Sequence, residues 1–134
     1  MTIYLDASAL IAVVVDSSAR AVVLESLEHD ADWCASALAL AEALALVPRL
    51  SDEPVLQDDI EDALRLLWDR IAVVPVDQQC LDRAATIARE QPVHMSDAIH
   101  LAAADRLPRP LSFVTFDASQ IPVALSMGFD VVSS

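Results

Sequence analysis

Apolar and polar positions along this chain fall into two alternating rhythms. Short, nearly continuous apolar runs are separated by longer stretches with apolar residues every three to four positions, the signatures of buried strands and amphipathic helices. Residues 3–5 read as a buried strand, and residues 8–15 as a short apolar helix. Ser18 is placed to cap a helix reaching Glu28, with Val22, Val23 and Leu27 on one face. Residues 33–35 form a second short strand, after which Ser36 caps an Ala/Leu-rich helix running to about Leu50. Asp52 and Pro54 open a further helix that ends near residues 68–70, with Ile60, Leu64, Leu67 and Trp68 as its apolar stripe. Residues 72–74 read as a third strand, stopped by Pro75. Asp77 begins a helix through Glu90 that carries Leu81, Ala84, Ala85 and Ala88 inward. Ser96 caps the next helix, residues 97–106; residues 111–116 form a fourth strand, and residues 121–127 a short helix that Gly128 suits as a stop. Val131 and Val132 make a weak last strand. This alternation predicts a three-layer α/β sandwich around a mostly parallel sheet, with residues 1–134 as one domain.

Composition narrows the class. Hydrophobic residues make up 55% of the chain and its mean hydropathy is +0.45, which argues against disorder. The longest nearly apolar stretch, residues 35–47, is interrupted by Glu42 and too short to span a bilayer. The start, Thr2-Ile3-Tyr4-Leu5-Asp6, reads as a strand and not as a basic leader, so a cytoplasmic protein is expected. Cys34 and Cys80 form no CxxC pair and read as small core hydrophobes in a reducing compartment. His29, His94 and His100 are too scattered to build a zinc site with them.

Charge changes the picture further. The chain carries 21 acidic against 8 basic side chains, every basic one an Arg, for a net charge of −13. Such a surface repels nucleic acid at long range and favours cations or a basic protein as partners. The absence of Lys excludes a P-loop and weakens a receiver-domain reading.

Candidate chemistry lies with the acids. In open α/β sheets, ligands bind beyond the carboxyl ends of the strands. Asp6 ends the first strand, Asp117 closely follows the fourth, and Asp97 stands in a helix first turn, where the dipole alone would favour a negative charge. Glu42 is harder to explain as bland: its helical neighbours are Leu38, Ala39, Ala45 and Leu46, an apolar face on which an unpartnered carboxylate is costly. A pairing with Arg49, or a place at the rim of the core, is its structural alternative. Asp58, Asp59, Glu61 and Asp62 read as a solvated helix opening, Asp16, Asp30, Asp32, Asp52, Asp77 and Asp82 as caps or loops, and Asp105 as exposed beside Arg106 and Arg109.

Four segments in order carry a resemblance: Ile3-Tyr4-Leu5-Asp6-Ala7-Ser8-Ala9-Leu10, a helical Glu42, Ser96-Asp97-Ala98-Ile99-His100-Leu101-Ala102, and Thr115-Phe116-Asp117. Together they resemble the signature of PIN domains, and their placement across the chain resembles VapC toxins. The resemblance implies a five-stranded parallel sheet in the order 3-2-1-4-5 and an acidic pocket for one or two Mg²⁺ or Mn²⁺ ions. It implies Asp6, Glu42 and Asp97 as core ligands, Asp117 as a fourth, and Ser8 and Thr115 as supporting hydroxyls, for which turn or cap roles are the alternative. Hard dications prefer oxygen ligands, and carboxylates supply both the oxygens and the compensating charge. The activity implied is RNA hydrolysis by metal-activated water, leaving a 5′-phosphate and a 3′-hydroxyl.

The resemblance also implies a small VapB-type antitoxin whose tail inserts a basic side chain into the pocket, an interaction that a charge of −13 would suit. Val22, Leu27, Leu56, Ile60 and Leu64 are candidates for an antitoxin groove or a homodimer face, with core packing as the alternative. His100 could face the pocket or be a packed structural residue. Arg20, Arg49 and Arg109 could touch phosphate, and Trp33 and Trp68 could stack bases, although core or solvated roles are the simpler reading. Two rival functions remain: a catalytically weak PIN-like protein-binding module, and a haloacid-dehalogenase-like phosphatase. The second expects an Asp where this chain has Ser8, and a Lys it lacks.

Overall fold

In a computed structural model the described residues are 2–15, 18–28 and 32–133. The roles read for Asp16, His29 and Asp30, and for the Ser18 side chain, lie outside what is described. The elements follow in the order β1 (Thr2–Leu5), α1 (Ala7–Val14), α2 (Ser18–Glu28), β2 (Asp32–Ser36), α3 (Ala37–Leu50), α4 (Pro54–Trp68), β3 (Ala72–Val74), α5 (Gln78–Glu90), α6 (Met95–Asp105), β4 (Leu111–Val114), α7 (Ile121–Ser126) and β5 (Asp130–Val132). All strand pairs are parallel, in the order β3-β2-β1-β4-β5.

Strands β1 and β4, at the centre, are buried along their whole length because helices cover both faces of the sheet. On β1, Ile3 and Leu5 point into a core formed with α1, α2, α3 and α4, whereas Tyr4 points into one formed with α5, α6 and α7. On the second side Tyr4 stacks on Phe113 (centroids 5.2 Å apart), which in turn stacks on Phe129 (5.9 Å). The result is a three-layer α/β/α sandwich. Cys34 and Cys80 are both buried in that second core. Among the described residues no single helix is long and apolar enough to cross a membrane.

Several local readings shift. Helix α6 begins at Met95 with His94 as its N-cap, so Ser96 lies inside the first turn and caps nothing. Glu53, not Asp52, precedes the Pro54 that starts α4. The inward face of α5 is Cys80, Ala84 and Ile87, while Leu81 is exposed; an alanine-rich repeat gives the period but not its phase. That phase is held by Asp77, which caps α5 through the Cys80 N–H and binds Arg106 with both carboxylate oxygens. Asp105 is paired with Arg83 and Arg109 and only partly exposed. Strand β4 stops at Val114, which frees residues 115–117 to turn across the carboxyl edge of the sheet. Gly128, at φ +84°, ends α7 in a conformation that residues with a Cβ rarely adopt.

Candidate active site

Parallel strands present their carboxyl ends along one edge, and β1 and β4 are neighbours there. Asp6 leaves β1 and immediately serves as the N-cap of α1. Its Oδ1 accepts from the Ala9 N–H (2.9 Å) and the Ser8 hydroxyl (2.6 Å); its Oδ2 accepts from the Thr115 hydroxyl (2.6 Å) and the Gln120 side-chain amide (3.1 Å). Both hydroxyls do double duty. Ser8 Oγ also accepts the Phe116 N–H and Thr115 Oγ1 the Asp117 N–H, so each hydroxyl bonds both the Asp6 carboxylate and the backbone of the turn after β4. They tie the turn after β4 to the start of α1.

Asp97, in the first turn of α6, reaches the same space. Its Oδ1 accepts from the Gln120 amide (3.1 Å), and its Oδ2 stands 3.4 Å from the Ser119 hydroxyl, which donates more closely to Asp117 Oδ1 (2.8 Å). Burial first, and the neighbouring Asp117 charge second, push the Asp97 carboxyl above its usual range. For Asp117 burial acts in the same upward direction, but hydrogen bonds from the Ser119 hydroxyl and N–H outweigh it and hold the carboxyl low.

Glu42 projects from α3 and pairs with His100 Nε2 (2.5 Å) instead of Arg49. His100, on α6 one turn after Asp97, meets the Tyr4 hydroxyl through Nδ1 (2.7 Å), and that hydroxyl accepts the Ser36 N–H (3.2 Å). One donor order satisfies these atoms: Ser36 N–H to Tyr4 oxygen, Tyr4 O–H to Nδ1, and Nε2–H to Glu42. Tyr4 is fully buried, and its phenol is driven far above its ordinary range by that burial, only partly offset by Ser36 beside it. His100 is therefore both buried and cavity-lining.

Asp6, Glu42, Asp97 and Asp117 share one cavity of about 160 Å³ with His100 and Gln120. Among the described residues no Arg lines it. The all-oxygen carboxylate set suits a hard dication. As the side chains stand, however, no three His, Cys, Asp or Glu groups among the described residues close into a metal-holding cluster. In this arrangement His100 binds Glu42, and the Gln120 amide donates to both Asp6 and Asp97.

Other candidates lie elsewhere. Arg109 precedes β4, at the opposite edge, where it binds Asp105 and the Met127 carbonyl and covers the Phe129 ring. Arg70 covers Trp33 at 4.0 Å, and Trp68 lines a separate groove with Leu40 and Leu66. Of the suggested docking residues, Leu27 and Leu64 are core, whereas Leu56 is 45% exposed. Gln120, Ser119 and Tyr4 went unnoticed in the sequence. Tyr4 carried a usable signal, since a phenol inside a fully buried strand requires a polar partner.

The PIN domain family model matches residues 3–124. The chain belongs to the PIN domain family. No curated protein sequence matches it significantly. Among solved structures, this PIN domain is similar to FitAcB from Neisseria gonorrhoeae, with a TM-score of 0.74, 18% identity, and 98% of this chain and 96% of that chain covered. VapBC2 from Rickettsia felis, solved bound to a DNA fragment from its promoter, gives a TM-score of 0.72 at 14% identity, covering 100% and 99%. VapC20 from Mycobacterium tuberculosis, described as a sarcin-ricin loop cleaving toxin, gives 0.72 at 16% identity, covering 91% and 95%. At these identities the likeness is one of fold.

Proposed function

We propose that this PIN-domain chain is a metal-dependent endoribonuclease of the VapC toxin type, acting in the cytoplasm and neutralised by a VapB-type antitoxin. The observation that carries the reading is the meeting of Asp6, Glu42, Asp97 and Asp117 in one cavity at the carboxyl edge of the sheet. These four would hold Mg²⁺ or Mn²⁺, with Ser8 and Thr115 orienting Asp6. When bound, such an ion supplies Lewis-acid activation of water and offsets charge on the scissile phosphate. The chain's own contribution is placement. Asp6 is held by four donors, and Glu42 is braced by His100 against the buried Tyr4. Antitoxin binding is supported by the −13 charge, which suits a basic tail, and by likeness to chains solved in toxin–antitoxin complexes. A homodimer is part of the same reading.

The open arrangement of the carboxylates favours a second reading, a PIN-like protein-binding module with little catalysis. Cleavage of a panel of structured RNAs with Mn²⁺ separates the two. The nuclease reading expects products with 5′-phosphate ends from the wild type and a loss of at least a hundredfold in Asp6→Asn and Asp97→Asn, roughly the scale on which removing a catalytic group acts. Equal activity in all three proteins, or none in any, defeats it.

A further inference from the structure

Gln120 touches two of the four cavity carboxylates, Asp6 and Asp97, directly. It is 2% exposed, and it is neither acidic nor part of the signature that relates this chain to its family. One nitrogen serves both contacts: the two N–H bonds of Nε2 reach Asp6 Oδ2 and Asp97 Oδ1, each at 3.1 Å. The other end of the amide gains nothing. Gln120 Oε1 is buried and has no hydrogen-bond partner among the described residues. An amide oxygen left unmet in the interior is costly, so the orientation is set by the nitrogen side, that is, by the negative charge of the two carboxylates. Inverting the amide would aim its oxygen at two carboxylate oxygens, a repulsive arrangement without a cation among them.

We infer that Gln120 is a built-in stand-in for the cation: its amide cross-links Asp6 and Asp97 in the metal-free protein, and metal binding competes with it. The inference rests on the proposed metal-dependent reading. It makes Gln120 a positioning and affinity-setting residue for the site. The bridging amide neutralises part of the repulsion between two buried carboxylates and keeps the cavity folded when empty. The same bridge weakens metal binding, because both hydrogen bonds to charged acceptors are lost when a dication takes their place. A hydrocarbon side chain there would leave the carboxylates unbridged and more eager for a metal.

The test is Gln120→Met, which keeps the length and bulk of the side chain and removes both donors. Mn²⁺ affinity is read by electron paramagnetic resonance titration, and thermal unfolding is followed after chelation and again with Mn²⁺. The variant is expected to unfold at a lower temperature when metal-free, to bind Mn²⁺ about tenfold more tightly, and to gain more from Mn²⁺ in its midpoint than the wild type does. Gln120→Glu, which also lacks the donor and adds an anionic oxygen, is expected to shift affinity the same way and serves if the Met variant does not fold. A less stable variant with unchanged or weaker Mn²⁺ affinity overturns the inference and leaves the nuclease reading standing, since Gln120 would then be only a structural cross-link. Absence of Mn²⁺ binding by wild type and variants alike overturns both.

Discussion

Tyr4→Phe removes a single oxygen, and the geometry says what that oxygen holds. The hydroxyl is wholly buried, accepts the Ser36 N–H at 3.2 Å and meets His100 Nδ1 at 2.7 Å. Phenylalanine keeps the ring and its stack on Phe113, so apolar burial is almost unchanged. Two buried polar groups, a backbone N–H and an imidazole nitrogen, would lose their partner, each worth about 1–3 kcal/mol when left unsatisfied. Relief from desolvating the phenol returns part of this, for an expected net loss of about 2–3 kcal/mol, a large share of the stability of a domain this size. Urea unfolding followed by circular dichroism should show the midpoint falling with an unchanged slope. Combining Tyr4→Phe with His100→Gln should be less damaging than the sum of the two, by more than about 0.5 kcal/mol, because the pair shares one hydrogen bond. A loss below about 0.5 kcal/mol, or strict additivity, would refute the reasoning that Tyr4, His100 and Glu42 form one connected network.

Asp97→Asn is expected to stabilise the metal-free protein at neutral pH. A carboxyl whose folded pKa is raised, first by burial and then by Asp117, opposes folding once ionised. The advantage of the variant should therefore be present at pH 7 and shrink as pH falls towards the unfolded carboxyl range near 4, measured by urea midpoints after chelation; a gap independent of pH would contradict it. Asp77→Ala should act in the opposite sense. The Cys80 N–H first, and then Arg106, hold the Asp77 carboxyl low, so its contribution is present above the unfolded range and fades as pH falls through the lowered folded value. The variant should be less stable than wild type at pH 7, with the difference narrowing in acid; a difference that widens there would count against the Arg106 pairing.

The sheet was legible because strands covered on both faces are written as largely apolar runs, as residues 3–5 and 111–114 are, while the more exposed edge strand 72–74 is marked by its two valines and the Pro75 that follows. Helix phase was less so. Leu81 and Cys80 are equally plausible inward residues until Arg106, on the neighbouring helix, fixes Asp77 and with it the start of α5. Strand ends marked Asp6 and Asp117, and an Ala/Leu helix face marked Glu42, but the meeting of these with Asp97 was what the PIN resemblance implied. What surrounds them could not be anticipated. The Tyr4–His100 contact joins residues 96 positions apart, and Gln120 reaches Asp6 across 114. Neutral amides and phenols obey no periodicity, so only the folded chain reveals that two of them control where the acids point.

Diffraction from crystals of the protein soaked in Mn²⁺, with anomalous differences collected at the manganese edge, looks at the cavity itself. A peak bounded by Asp6, Asp97 and Glu42, with the Gln120 amide withdrawn from between the first two, is the expected result. Full Mn²⁺ exposure with no peak there, and Gln120 still bridging Asp6 and Asp97, would contradict the assignment of this cavity as a cation-dependent active site.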